Sequence, residues 1–220
     1  QVFWISKTLN FYNNENIGNL VNSRNENYPF LGSLLWATFW KISFISEEYT
    51  GRLFYVFLYS VSLASLIETL KSTPVIKSIF FIILVLMSYK YVHFSGSQDV
   101  LIFCLIAIAA KNLYCIIDEE GNLTIKQLVL LLLICNSLIW TKQEGTVYAF
   151  IIMFTVLFYS KSILYKKIFL FGFIGFLFAL RIFIHKTYNL DISINTNVWS
   201  DFSLNSITDK MSFDRMLLIT

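Results

Sequence analysis

Trp140-Thr141-Lys142-Gln143-Glu144-Gly145 stands between two of the most apolar runs of the chain, residues 128–139 and 147–159. A cation and an anion two positions apart interrupt what would otherwise be one long apolar segment, so the stretch is either a loop at a membrane surface or a polar site. Taken to their polar limits, the flanks become 125–140 and 146–160, each near the minimum for crossing about 30 Å of hydrocarbon. Four more runs of this kind lie at 52–69, 76–92, 100–116 and 167–184. Their spacing predicts an all-α, polytopic membrane bundle of about six spanning helices.

Composition agrees with that reading. Of 220 residues, 56% are hydrophobic, 18% aromatic and only 14% charged, where soluble domains carry about 25% charged residues. These figures argue against a water-soluble fold, and the expected surroundings are a lipid bilayer. The net charge of +3 is small and its basic residues are scattered, which argues against a nucleic-acid partner. Cys104, Cys115 and Cys135 fall in or beside apolar runs without metal-ligand spacing, and read as small core residues.

Outside the bundle, residues 1–50 read as an external loop with a juxtamembrane helix, 51–185 as the helical bundle, and 186–220 as a further external loop opening another segment. Val2, Phe3, Trp4, Ile5 and Leu9 form an amphipathic patch suited to a membrane surface. The run 29–45 contains Lys41, with Trp36 and Trp40 one helical turn apart, and tryptophans favour the interface. On length alone it either spans or lies at the surface.

Charge bias orients the helices, because short cytoplasmic loops collect Lys and Arg. The connectors after the first, third and fifth spanning runs hold Lys71, Lys77, Lys111, Lys126, Lys161, Lys166 and Lys167; those after the second and fourth hold only Lys90 and Lys142. The stretch 140–145 and the loop 93–99 are therefore expected on the external side.

Three groups of polar residues lie beside the hydrocarbon: Tyr28 with Arg24 and Glu26, the loop from His93 to Asp99, and Lys142 with Glu144. Two readings stand for each. Asp99 opens a helix, where its carboxylate either caps the first turn or faces a cavity and binds a sugar hydroxyl or a metal. Lys142 either snorkels to the interface or holds a phosphate at the membrane surface, with Glu144 orienting it or a substrate hydroxyl. His93 reads as a loop histidine, and His185 has no second histidine at metal spacing.

In order and spacing, these stretches resemble the GT-C-fold membrane glycosyltransferases, the superfamily of the protein mannosyltransferases and the lipid A aminoarabinose transferase. Trp4, Lys7 and Tyr12 are similar to the first external loop; Tyr28-Pro29-Phe30-Leu31 to the proline-led start of the juxtamembrane helix; Glu48 to Arg52 to the entry into the next span. Ser95-Gly96-Ser97-Gln98-Asp99 resembles the "GYAD" external turn, and residues 140–145 the "LTKNEG" turn.

The resemblance implies transfer of a sugar from a polyprenyl-phosphate donor to a glycan, lipid or protein acceptor on the external face, in a bacterial plasma membrane. It also implies that the helix led by Pro29 lies at the surface. Lys142, Glu144, Asp99 and Tyr28 are then the substrate-binding residues, and a divalent metal stays open as a cofactor with no ligand set assigned. The family's catalytic Asp would precede Gln1, so no catalytic residue is assigned within the chain. The alternatives are a transporter or flippase of lipid-linked saccharide, a polysaccharide polymerase or ligase, and a structural membrane subunit.

Overall fold

The computed structural model describes residues 2–22, 28–45, 47–92, 97–118, 122–161 and 164–190. Among them the architecture is all-helical: α1 (Val2–Tyr12), a 3-10 turn (Ile17–Asn22), α2 (Leu31–Ile42), α3 (Tyr49–Glu68), α4 (Pro74–Val92), α5 (Gln98–Asp118), α6 (Ile125–Thr141), α7 (Gln143–Tyr159) and α8 (Leu164–Thr187). The last six of these carry the six expected runs.

Three of the helices, α3, α5 and α8, are long and apolar enough to cross a membrane, with mean hydropathies of 1.4, 2.4 and 2.2 over their best windows. The apolar parts of α4, α6 and α7 are shorter; a 17-residue helix is about 25 Å long. Lipid is the surrounding that fits their outer faces. Ile79, Phe80 and Leu86 of α4, Phe150, Phe154 and Phe158 of α7, and Phe169, Phe176 and Phe183 of α8 all face outward. In water such a surface would far exceed the few hundred Å² of apolar patch usual on a soluble monomer.

Helix α6 is the centre of the bundle. Leu131, Cys135 and Leu138 are fully buried in one apolar cluster with Ala109 and Ile116 of α5, Ala149, Met153 and Val156 of α7, and Leu170 and Ile174 of α8. Small residues set the close approach, as expected where helices pack inside lipid: the Cys135 thiol lies 3.9 Å from the Ala149 carbonyl oxygen. All three cysteines are free.

The expected connectors meet at the two ends of this bundle. At one end the Lys111 ammonium pairs with the Glu68 carboxylate and Lys71 approaches Asp118 at 4.0 Å. Lys166 and Lys167 donate to the carbonyls of Leu123 and Leu157 at 2.8 and 3.0 Å. At this end α6 opens on a capping box between Thr124 and Gln127, which satisfies amides that have no intrahelical partner.

The other end is covered by α1 and α2. Twelve residues make α2 about 18 Å long, too short to cross, and it packs against α1 and α3. Phe11, Leu20, Phe30, Ala37 and Leu190 form a second apolar cluster here, with Trp140 of α6 packed against it.

On α1 the packed face carries Lys7, Thr8 and Asn10, and Leu9 of the apolar patch is exposed; Ser33 of α2 donates to the Trp4 carbonyl at 3.2 Å. One detail of this cap differs from the expectation. Trp36 is not an interfacial anchor but is 1% exposed, held edge-on by Tyr55 and under the Arg52 guanidinium, 4.8 Å from its ring. Arg52 is itself fixed by two hydrogen bonds to the Glu48 carboxylate, at 2.8 and 2.6 Å. Trp40 stacks on Tyr12 with ring centroids 4.0 Å apart.

One buried polar chain locks α2, α3 and α5 together. The Tyr55 hydroxyl donates to the Gly32 carbonyl at 2.8 Å and accepts from the Gln98 side-chain amide at 3.0 Å. Gly32 leaves the room that the Gln98 side chain occupies; a Cβ there would push the Gln98 amide aside.

Candidate functional site

Lys142 is the single residue joining α6 to α7, in extended conformation (φ −156°, ψ 159°). Such an abrupt reversal needs the helices to touch where they turn. Gly145 allows it: an added Cβ would come within 2.0 Å of the Leu138 carbonyl oxygen. Arg181 of α8 then clamps both flanks, one guanidinium nitrogen donating to the Ile139 carbonyl at 2.9 Å and to the Thr146 hydroxyl at 3.2 Å. The Ile139 oxygen belongs to the last turn of α6, where carbonyls lack intrahelical partners.

This turn aims Lys142 at the start of α5. Its ammonium pairs with Asp99 at 2.9 Å and with Glu144 at 3.6 Å. Asp99 sits in the first turn of α5, where the helix dipole favours a carboxylate. The capping is done by Ser97, whose hydroxyl accepts from the Asp99 amide at 3.3 Å and donates to the Asp99 carboxylate at 3.0 Å. Asp99 thus keeps its dipole-favoured place at the helix start beside Ser97, and its other carboxylate oxygen is turned to Lys142.

Tyr28 belongs to the same neighbourhood. Its ring meets Trp4 edge-on at 6.2 Å, its carbonyl accepts from Lys7 at 2.7 Å, and two residues on Phe30 meets Trp140 with centroids 5.4 Å apart. Burial pulls the Lys142 ammonium down, but the hydrogen bond with Asp99 and the carboxylate charges of Glu144 and Asp99 outweigh it, leaving Lys142 above the ordinary lysine value. It is a firm cation at neutral pH.

All four sequence-derived residues, Lys142, Glu144, Asp99 and Tyr28, therefore meet at one end of the bundle, opposite the lysine-rich end. Arg24, Glu26 and His93 lie outside the described residues, as do Trp199, Phe202 and the tail beyond residue 190.

Several contributors escaped the sequence reading. Arg181 had a legible signal, a cation inside an apolar run. Lys7 is fully buried, which no local pattern announced. His185 is packed between Phe30 and Trp140, with centroids at 6.5 and 6.0 Å, and its Nδ1 lies 2.9 Å from the Arg181 carbonyl oxygen. It holds the end of α8 against the turn.

Chemically, the cluster sets one cation between two carboxylates. The Asp99 and Glu144 side chains are 71% and 54% exposed, against 22% for Lys142. Exposed pairs contribute only about 0–1 kcal/mol, so the fold gains little from the arrangement. The open carboxylates can accept from hydroxyls, and the lysine can exchange a carboxylate for another anion. No protein family, no curated protein and no solved structure matches the chain.

Proposed function

We propose that the chain is part of a membrane-embedded glycosyltransferase of the GT-C type, moving a sugar from a polyprenyl-phosphate donor to an acceptor on the external face of a bacterial plasma membrane. One observation carries this reading: residues as far apart in sequence as Tyr28, Asp99, Lys142 and Glu144 converge on one end of the bundle, opposite the end that holds Lys71, Lys77, Lys111, Lys166 and Lys167. The resemblance in the order of the motifs adds to it.

In this reading Asp99 and Glu144 accept hydrogen bonds from hydroxyls of the sugar or the acceptor, and Tyr28 borders the bound substrate. The acceptor oxygen attacks the anomeric carbon while the bond from that carbon to the phosphate oxygen breaks, its electron pair leaving with the lipid phosphate. The acceptor proton passes to a base, which the resemblance locates before Gln1. Lys142 releases one carboxylate and faces the phosphate as its charge grows, an interaction stronger in the transition state than in the ground state.

Lys142→Ala is expected to lower kcat for transfer from a polyprenyl-phosphate sugar by about 100-fold, the usual effect of deleting one preorganised charge-stabilising group. Transfer at the normal rate by this variant, assayed in membranes holding the whole protein, would remove Lys142 from the mechanism. Substrate carried across the bilayer with its glycosidic bond intact would favour the flippase reading instead.

A further inference from the structure

At the lysine-rich end, α3 and α4 diverge to leave a groove of about 360 Å³. Its walls change character with depth. Glu68 ends α3 and Lys77 and Ser78 lie near the start of α4, while Ala64 of α3 and Phe81 and Ile82 of α4 line the groove about one helical turn further in, with Ile67 beside Glu68. The spacing explains the gradient: residues 64 and 68 share a face of α3, and 77, 78, 81 and 82 share a face of α4.

The charges of the groove do not cancel. The Glu68 carboxylate is taken by Lys111. Lys77 donates to the Glu68 backbone carbonyl at 3.0 Å, which uses one of its three N–H groups. Two lysines and one carboxylate leave one net positive charge. Lys77 also lies in the first turn of α4, where a cation is disfavoured by the helix dipole and an anion favoured. Helix stability does not explain its placement.

We propose that this groove binds one anionic phospholipid, its phosphodiester on Lys77 and an acyl chain along Ile67, Phe81 and Ile82. A singly charged phosphodiester neutralises the excess charge, and the apolar depth excludes a water-soluble phosphate as the natural occupant. Basic sites between membrane helices at a cytoplasmic face suit such headgroups. The proposal is independent of the transferase reading.

Native mass spectrometry of the detergent-purified protein with equal phosphatidylglycerol and phosphatidylcholine provides the test. Phosphatidylglycerol is expected to be retained about fivefold over phosphatidylcholine, as one basic residue beside an anionic headgroup gives. Lys77→Gln abolishes the preference and Lys77→Arg keeps it. Glu68→Gln raises it by removing the competing carboxylate, an outcome that a purely structural role of Lys77 does not give. Equal retention of the two lipids by the wild type, an unchanged ratio in Lys77→Gln, or a fall in Glu68→Gln would each overturn the site. So would displacement of the lipid by glycerol phosphate at matched concentration.

Discussion

Gly145→Ala is expected to destabilise the protein by about 3 kcal/mol, at the upper end of what overpacking costs, and to break the contact between Lys142 and Asp99. Local propensity alone gives the opposite sign, since alanine in a helix gains up to about 1 kcal/mol over glycine. The added Cβ, however, meets the Leu138 carbonyl oxygen at 2.0 Å, a backbone atom, with no flexible side chain to yield. Relief requires α6 and α7 to part at their turn, which moves Lys142 away from the start of α5 and strains the clamp that Arg181 makes on both helices. Thermal unfolding in detergent should show a marked fall in Tm. A Tm equal to or above the wild type would mean that the turn is looser than described.

Tyr55→Phe is expected to cost about 2 kcal/mol although it deletes a single oxygen atom. Tyr55 is buried, and its hydroxyl is the shared partner of the Gly32 carbonyl and the Gln98 amide. Without it the Gln98 amide loses its partner, while the Gly32 carbonyl keeps its place in the α2 ladder, and a buried unsatisfied group costs about 1–3 kcal/mol. The Gln98 Oε1 already lacks a partner among the described residues, so the whole amide would then be unpaired. Replacing Gln98 by Leu in the Tyr55→Phe background removes the stranded amide and should restore part of the loss. If the double variant is instead less stable by the sum of the two single effects, the coupling between Tyr55 and Gln98 is absent.

The bundle itself was legible because its cause is local. Apolar runs set helix positions without reference to distant residues, so the runs at 100–116 and 125–140 fall within α5 and α6. The lysine bias was legible for a related reason: Lys71 lies in a connector and Lys111 and Lys166 in helix turns near alternate connectors, and an antiparallel bundle brings alternate connectors to one end. The burial of Trp36 was not legible, because a tryptophan suits an interface and a core equally well. Only the arrival of Tyr55 and Arg52 from α3 decided between them.

The candidate site divides along the same line. Residue type and membrane side nominated Lys142, Glu144, Asp99 and Tyr28, and the 140–145 stretch alone marked a break between two helices. That Lys142 reaches Asp99, 43 positions away, was decided by the packing of α5 on α6 and by the close turn at Gly145. The roles of Ser97, Arg181 and Lys7 were decided there too. Hydrophobic runs are a one-dimensional property, set by transfer of each residue from water to lipid, and the sequence determines them by itself. Hydrogen bonds and ion pairs depend on distances of a few ångströms between segments far apart in the chain, and only the packed tertiary structure fixes those.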